Sequence, residues 1–328
     1  MRFVTEIKRQ RDSQMNNTVI PIVLTSDENY APYMYVTILS ILKNKKNSTV
    51  YDIYILIDKI FSKRTMHKFN QLEQKYKTKF NYVEMGDKYS SIEMKINHIT
   101  TPTYYRLSIP ELLKKYNKAI YLDTDVIVLK DLSEYFNINV SEYYIAGVRA
   151  AAYQLNDSNK EYYNNIGLKD MSNYINAGVT LWNLDKIRNT PYKQQELHEL
   201  TKKRLKSQDQ DVINIAFKDQ IKILSPKYNL MTKYPDLAEK SDKIYKKYSE
   251  IWDKKQIDEA VDAPVIIHYA NPEKPWNRKV WLDSYWWEYA KKSPFNFWFN
   301  KNIFSISKNS KRTIIKILGL KIKIKKRG

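Results

Sequence analysis

Two aspartates at i and i+2, Asp123 and Asp125, interrupt a run of apolar residues. Residues 118–132 read KAIYLDTDVIVLKDL, with Ala119, Ile120, Tyr121 and Leu122 before the acids and Val126 to Leu129 after them. The first run has the length and the β-branched and aromatic content of a short buried strand. An ionised carboxylate held against apolar surroundings is costly unless it is paired or bound to a cation. A kink at this strand end turns both carboxylates into one cleft, where a divalent metal takes them together with phosphate oxygens. The competing reading is an ordinary strand-to-turn junction, where Asp is common. A lone Asp-x-Asp favours the second reading, so the rest of the chain has to decide.

The elements around this stretch predict one sheet edge. Residues 18–25 (TVIPIVLT) form an apolar strand that runs into Ser26-Asp27-Glu28-Asn29-Tyr30, followed by a helix with a broad apolar face. Residues 51–57 and 80–85 read as two further strands, with an amphipathic helix over 61–76 between them. Strand and helix alternating in this way is the pattern of a parallel α/β sheet with right-handed crossovers. In such sheets ligands bind beyond the carboxyl ends of the strands, where Asp27, Asn29, Asp123 and Asp125 all fall. Thr101 before Pro102 starts a helical piece and Pro110 a second, with Arg106 between them. Residues 143–148 and 174–184 are strands, and Gly178 inside the latter marks a bulge or a close backbone approach. A helix is expected over 194–206. Ser207 then caps the next one, which carries Asp209 and Asp211 in its first turn. Residues 265–268 form a final strand ending in His268.

Composition narrows the class. The 328 residues are 43% hydrophobic with 27 Tyr, enough for one large domain. Only six glycines are present, and no Gly-rich dinucleotide or P-loop motif occurs. The absence of cysteine excludes disulfides and Cys-based zinc sites and fits a reducing compartment. Residues 1–17 read as a polar, flexible lead-in without an apolar signal core. No apolar run approaches the roughly eighteen residues a membrane span needs. The net charge of +20 is uneven: ten Lys or Arg and no acid follow from position 301. Such a block fits an anionic partner, lipid or nucleic acid.

Read in order, TSDENY, YYRL, YLDTDVIV, NAGVTLWNL, DQDVINIAF and HYANPEKPW resemble the retaining family 8 glycosyltransferases. That family includes glycogenin and the bacterial lipopolysaccharide and lipo-oligosaccharide α-galactosyl- and α-glucosyltransferases. The resemblance implies a GT-A fold, mainly a parallel central sheet with flanking helices, over residues 18–292, with 293–328 a basic and aromatic tail. It implies that Asp123, Asp125 and His268 bind Mn²⁺, or Mg²⁺ less well because of the imidazole nitrogen. Lys274 is then a phosphate-contacting lysine, and Asp27 and Asn29 reach the uracil and ribose of a UDP-sugar. Asp27 also suits a helix cap, and the two roles are compatible. Tyr30 either lines the base pocket or packs in the core. Thr25, Thr124 and Ala177 flank these positions and belong to the same donor pocket.

Arg106, Asn176 and Asp209 match family positions that hydrogen-bond the donor sugar, and Gln210 matches the residue beneath its anomeric carbon. An amide oxygen is a poor nucleophile, so stabilisation of positive charge in a front-face reaction is preferred to covalent attack. Asp211 reads as a structural capping carboxylate. Asn271, followed by Pro272, stands where the family usually has glycine, which raises a lapsed, binding-only member as the alternative. The donor is expected to be UDP-glucose or UDP-galactose, and the acceptor a glycan or glycolipid. Five of the seven tryptophans lie in 276–298, either packed on the core or turned to an acceptor or membrane. In the tail, apolar residues 314, 315, 317 and 318 fit a helical turn, while LKIKIK alternates as a strand does. Basic residues there, each worth about 1 kcal/mol near an anionic leaflet, point to a cytoplasmic protein held on the inner membrane face. A nucleic-acid partner is not expected, because no recognition motif accompanies the charge.

Overall fold

The short β-branched runs of the N-terminal half pair as parallel strands, and the amphipathic segments between them become crossover helices. The computed structural model describes residues 19–90, 92, 101–155 and 160–297, with the backbone of 304–308, 312–317 and 320–325. The lead-in expected over 1–17 lies outside them. β1 (Val19–Ser26) is buried from its second residue onward. α1 (Ala31–Lys43) leads to β2 (Val50–Ile57), and α2 (Lys63–Tyr76) to β3 (Phe80–Glu84). Ser62 caps α2 by accepting the Thr65 N–H, and Lys77 ends it in the left-handed conformation. β1 is parallel to β2, and β2 to β3.

β4 (Lys118–Leu122) also runs parallel to β1, so Ser26 and Leu122 finish at one edge. The chain then leaves this sheet. β5 (Val126–Val128) belongs to another, and the kink between the two runs falls on Asp123-Thr124-Asp125. β6 (Ile145–Arg149) and β7 (Ile175–Asn183) follow, β7 antiparallel to both β4 and β6. Its first residues therefore lie at the edge where β4 ends. The β6–β7 register slips between Gly147 and Arg149, opposite the stretch that contains Asn176, Ala177 and Gly178. This irregularity turns that stretch out of the ladder, as a bulge does.

α3 (Lys193–Thr201) stops five residues short of the expected 206. The chain needs residues 202–206 to turn and seat the Ser207 N–H on the Asp211 carboxylate at 2.8 Å, at the start of α4 (Gln208–Phe217). β8 (Ile221–Ile223) completes a seven-stranded sheet in the order β3-β2-β1-β4-β7-β6-β8. β9 (Leu230–Met231) and β10 (Ile266–His268) pair with each other, and β10 with β5, placing His268 opposite Val126.

α5 (Asp283–Ala290) settles the reading of the aromatic stretch in favour of packing. Trp286 is fully buried, Trp276 stacks on Tyr33 at 4.0 Å, and Phe297 reaches Trp286 at 4.8 Å. Phe295 contacts Tyr35 at 5.5 Å, so the packed body continues past the expected boundary at 292 to Phe297. Trp298 lies outside the described residues. Over 314–317 the expected helical turn is not formed. β12 (Arg312–Ile317) instead pairs antiparallel with β11 (Phe304–Lys308) and β13 (Leu320–Lys325). Consecutive isoleucines satisfy either period, and their β-branching favours the strand. Among the described residues no helix is long and apolar enough to cross a membrane.

Candidate active site

The kink between β4 and β5 is held on three sides. The Asp123 N–H donates to the Gly178 carbonyl at 2.7 Å, and the Tyr269 N–H to the Asp125 carbonyl at 3.0 Å. Buried Thr37, on α1, donates to the Thr124 and Val126 carbonyls at 3.0 and 2.8 Å. The carboxylates consequently point into a cleft of about 380 Å³. Oδ1 of Asp123 accepts from Arg106 and Tyr121, both at 2.8 Å. Its Oδ2 stands 3.7 Å from His268 Nε2, which is 3.2 Å from Asp125 Oδ1. Donor atoms of Asp123, Asp125 and His268 lie within 4.8 Å of one another.

The proton on His268 follows from a chain of bonds that starts at an unambiguous donor. The Gly178 backbone N–H donates to Asn176 Oδ1 at 3.1 Å, so that atom is the amide oxygen. Asn229 Nδ2 donates to the same oxygen at 2.9 Å, leaving Asn229 Oδ1 to face His268 Nδ1 at 2.9 Å. An amide oxygen only accepts, so Nδ1 carries the proton. In the neutral ring, Nε2 then turns its lone pair toward two carboxylates. A cation between these three electron-rich atoms would satisfy all of them at once. Asp123, Asp125 and His268, the last oriented by Asn229, thus form a set of donors with the oxygen and nitrogen chemistry that suits a divalent metal.

Gly178 makes the approach possible. A Cβ there would collide with Asp123 Oδ2 and His268 Cε1. Lys274 closes the other side, with Nζ on Asp125 Oδ2 at 2.5 Å and on the Tyr269 carbonyl at 2.6 Å. Burial raises the Asp125 carboxyl, and the Lys274 ammonium overcomes this and holds it below the usual range.

A second layer of the site is built on Arg106. It is buried and lies over the Tyr121 ring at 4.2 Å. Its N–H groups reach Asp123, the Ala177 carbonyl at 2.8 Å, Thr103 and, through Nε, Asp209 at 3.1 Å. Arg106, expected at the sugar, lines the cleft and also bridges two of its carboxylates. Burial pushes the Asp209 carboxyl up to about 6, with Asp123 adding to the rise and Arg106 opposing it. Gln208, buried just before it, takes φ 52°, a conformation that costs a non-glycine residue on the order of 1 kcal/mol and clusters at functional sites.

Gln210 is fixed at both ends. Its Oε1 accepts from Asn176 Nδ2 at 3.1 Å and the Ala177 N–H at 3.2 Å, and its Nε2 donates to Tyr174 at 3.1 Å. The Tyr174 O–H donates in turn to Asp211 at 2.6 Å. Asp211 therefore serves the frame of the site, as its capping position led us to expect.

At the far end, Asp27 Oδ1 accepts the Tyr30 N–H at 2.8 Å in the turn before α1, whose N-cap is Tyr30 rather than Asp27, while both side chains line the cleft. Thr25, bonded to the Tyr121 hydroxyl at 3.1 Å, and Thr124 line it too. Asn29 is exposed and outside the lining. Asn271 also stands outside it, between Ala270 and Pro272, and has no positive φ. The backbone irregularity that a glycine would serve is not used here. Sequence reasoning missed Asn229, Tyr121, Thr103 and Lys233. Asn229 and Lys233 carry no signal in their own neighbourhood, whereas Tyr121 and Thr103 sit two and three positions from Asp123 and Arg106 and bond them.

The sequence profile described as glycosyl transferase family 8 matches residues 21–280. The chain is 28% identical to a putative glycosyltransferase of Haemophilus influenzae, over 79% of this chain and 73% of that one. It is 27% identical to a lipopolysaccharide 1,2-glucosyltransferase of Escherichia coli, over 86% and 76% of the two chains. Among solved structures, galactosyltransferase LgtC in complex with donor and acceptor sugar analogs superposes with a TM-score of 0.70 at 24% identity, covering 84% of this chain and 97% of that one. At that identity the likeness is one of fold, and the fold is GT-A.

Proposed function

The chain belongs to glycosyl transferase family 8, and from that premise we propose that it moves glucose or galactose from a UDP-sugar to a cell-surface glycan, with a divalent metal and retention of anomeric configuration. The observation that carries this reading is the His268 lone pair aimed, by way of Asn229, at Asp123 and Asp125. Those three residues would hold Mn²⁺, with Mg²⁺ the weaker fit. When bound, the metal supplies Lewis-acid neutralisation of the charge that builds on the departing nucleoside diphosphate.

The remaining steps belong to the chain itself. Lys274 lies against Asp125 and offers its remaining N–H to a phosphate oxygen. The free oxygen of Asp27 accepts the uracil N–H, and Tyr30 bounds the base. Asn29 and Asn271 stay candidates for nucleotide contacts at the mouth of the cleft only. Arg106 keeps Asp123 and Asp209 in place, and ionised Asp209 accepts a sugar hydroxyl. Gln210 presents the carbonyl of its clamped amide to the sugar, stabilising positive charge at the anomeric carbon. It does not attack, because its oxygen is a weak nucleophile already accepting two N–H bonds. The acceptor hydroxyl enters on the face the diphosphate leaves, which gives an α-linked product by positioning and charge stabilisation alone.

The likeness to a lipopolysaccharide glucosyltransferase supports an acceptor of the lipopolysaccharide or capsule type. Residues 18–292, with 293–297 packed against them, are proposed as the catalytic unit, and the basic tail beyond as an attachment to the cytoplasmic face of the membrane. The test is a panel of UDP-sugars with Mn²⁺, reading UDP release. UDP-glucose or UDP-galactose should be hydrolysed or transferred, and Asp125→Asn should abolish the reaction. No release from any UDP-sugar, or full activity in D125N, would overturn the reading.

A further inference from the structure

Lys233 is the cation of the cleft that the donor does not explain. Among the described residues lining it, Arg106 is paired with Asp123 and Asp209, and Lys274 with Asp125. Lys233 makes neither an ion pair nor a hydrogen bond with a described residue. Its ammonium lies 5.6 Å from the Tyr153 ring centre and 5.2 Å from that of Tyr234. Burial alone lowers its pKa to about 8, with no carboxylate near enough to raise it. A partly buried ammonium with only ring faces for company remains short of counter-charge.

Its place is fixed by its neighbours on both sides. The Thr232 N–H donates to the His268 carbonyl at 2.9 Å, and the Tyr234 hydroxyl accepts the Ala152 N–H at 2.8 Å. Tyr153, beneath the ammonium, bonds Ser207 at 3.2 Å and packs on Tyr174, which holds Gln210. Lys233 is therefore on the Gln210 flank of the cleft, where the sugar is transferred, and its ring contacts do not include Tyr30 at the base end. A nucleotide-sugar diphosphate and a divalent cation cancel one another in charge, so a loaded donor leaves Lys233 unanswered.

From this we infer that Lys233 binds an anionic group, phosphate or carboxylate, carried by the acceptor sugar near its reacting hydroxyl. The assignment deepens the function proposed above and rests on it for the direction in which donor and acceptor lie. The probes are glucose 6-phosphate, glucuronate and methyl glucoside, titrated by tryptophan fluorescence into the full chain with and without UDP and Mn²⁺. The anionic sugars should bind roughly tenfold tighter than methyl glucoside, a charge-assisted hydrogen bond's worth. Lys233→Met should lose that preference and Lys233→Arg should keep it. An equal preference in K233M, or none in the native protein, overturns the inference.

UDP-glucuronate and UDP-glucose form the second arm. A selective loss of UDP-glucuronate affinity in K233M puts the anion on the donor and overturns the acceptor assignment. A parallel loss of UDP affinity in K233M places Lys233 beside the nucleotide and overturns it as well. Failure of the native protein to bind UDP with Mn²⁺ counts against the glycosyltransferase mechanism proposed above, whereas the sugar titrations without UDP still decide the role of Lys233.

Discussion

Replacing Asn229 separates two jobs that one amide performs. Its oxygen keeps the proton on His268 Nδ1, and its N–H₂ holds Asn176, which in turn holds Gln210. Asn229→Leu removes two hydrogen bonds of 2.9 Å, one buried and one part-buried, each worth about 0.5–1.5 kcal/mol net, so stability should fall by roughly 1–3 kcal/mol. The larger effect is on metal binding. With no acceptor at Nδ1, the imidazole is free to rotate or to carry its proton on Nε2, and loss of such a partner typically costs about 10–100-fold in metal affinity. Asn229→Asp restores an acceptor for Nδ1–H but sets a second oxygen against Asn176 Oδ1. Metal affinity in N229D should stay within about threefold of native, while turnover falls with the displaced Gln210. The assay is the electron paramagnetic resonance signal of free Mn²⁺, titrated with each protein without sugar, alongside steady-state UDP release. Native-like Mn²⁺ affinity in N229L would refute the tautomer argument. Equal losses of affinity in N229L and N229D would refute the division of roles.

Three further outcomes follow from the same geometry. Gly178→Ala should fold, since its φ is not left-handed, but the new methyl displaces Asp123 and His268; a shift of about 1 Å costs on the order of 100-fold in turnover. Circular dichroism and UDP release together check this. Arg106→Met should destabilise by roughly 3–5 kcal/mol in urea titrations, because buried Asp209 and partly exposed Asp123 lose their common partner. The third is a pH profile. The folded-state pKa of Asp209 is raised to about 6, so the carboxylate is ionised above that pH and activity falls as pH drops through it. The profile of kcat/KM for Asp209→Asn should lack this inflection, at a lower plateau.

The nucleotide half of the fold was legible because its signals are local. Residues 19–84 alternate short β-branched runs with amphipathic helices, and length alone separates the two. Asp123 and Asp125 were visible as an anomaly, two charges inside an apolar run, and Gly178 as a glycine inside a strand. What was not legible depends on partners distant in sequence. Asn229 has no ionisable group and lies in an irregular stretch, 39 positions from the histidine it orients. The ion pairs of Arg106 were hidden because its partners, Asp123 just after β4 and Asp209 on α4, meet it only in the folded chain. The end of α3 was misplaced because residues 202–206 keep helical composition, and the backbone N–H of Ser207 is claimed instead by Asp211. The tail was ambiguous because consecutive isoleucines fit both periods.

The central claim is that Asp123, Asp125 and His268 jointly hold a divalent ion against the diphosphate of a nucleotide sugar. Crystals grown with Mn²⁺ and UDP, measured at the manganese absorption edge, test it directly. The account predicts one anomalous peak within bonding distance of all three side chains and of UDP phosphate oxygens, with Asn229 Oδ1 still on His268 Nδ1. A peak elsewhere in the cleft, or UDP bound at this site with no anomalous peak at the three residues, would contradict it.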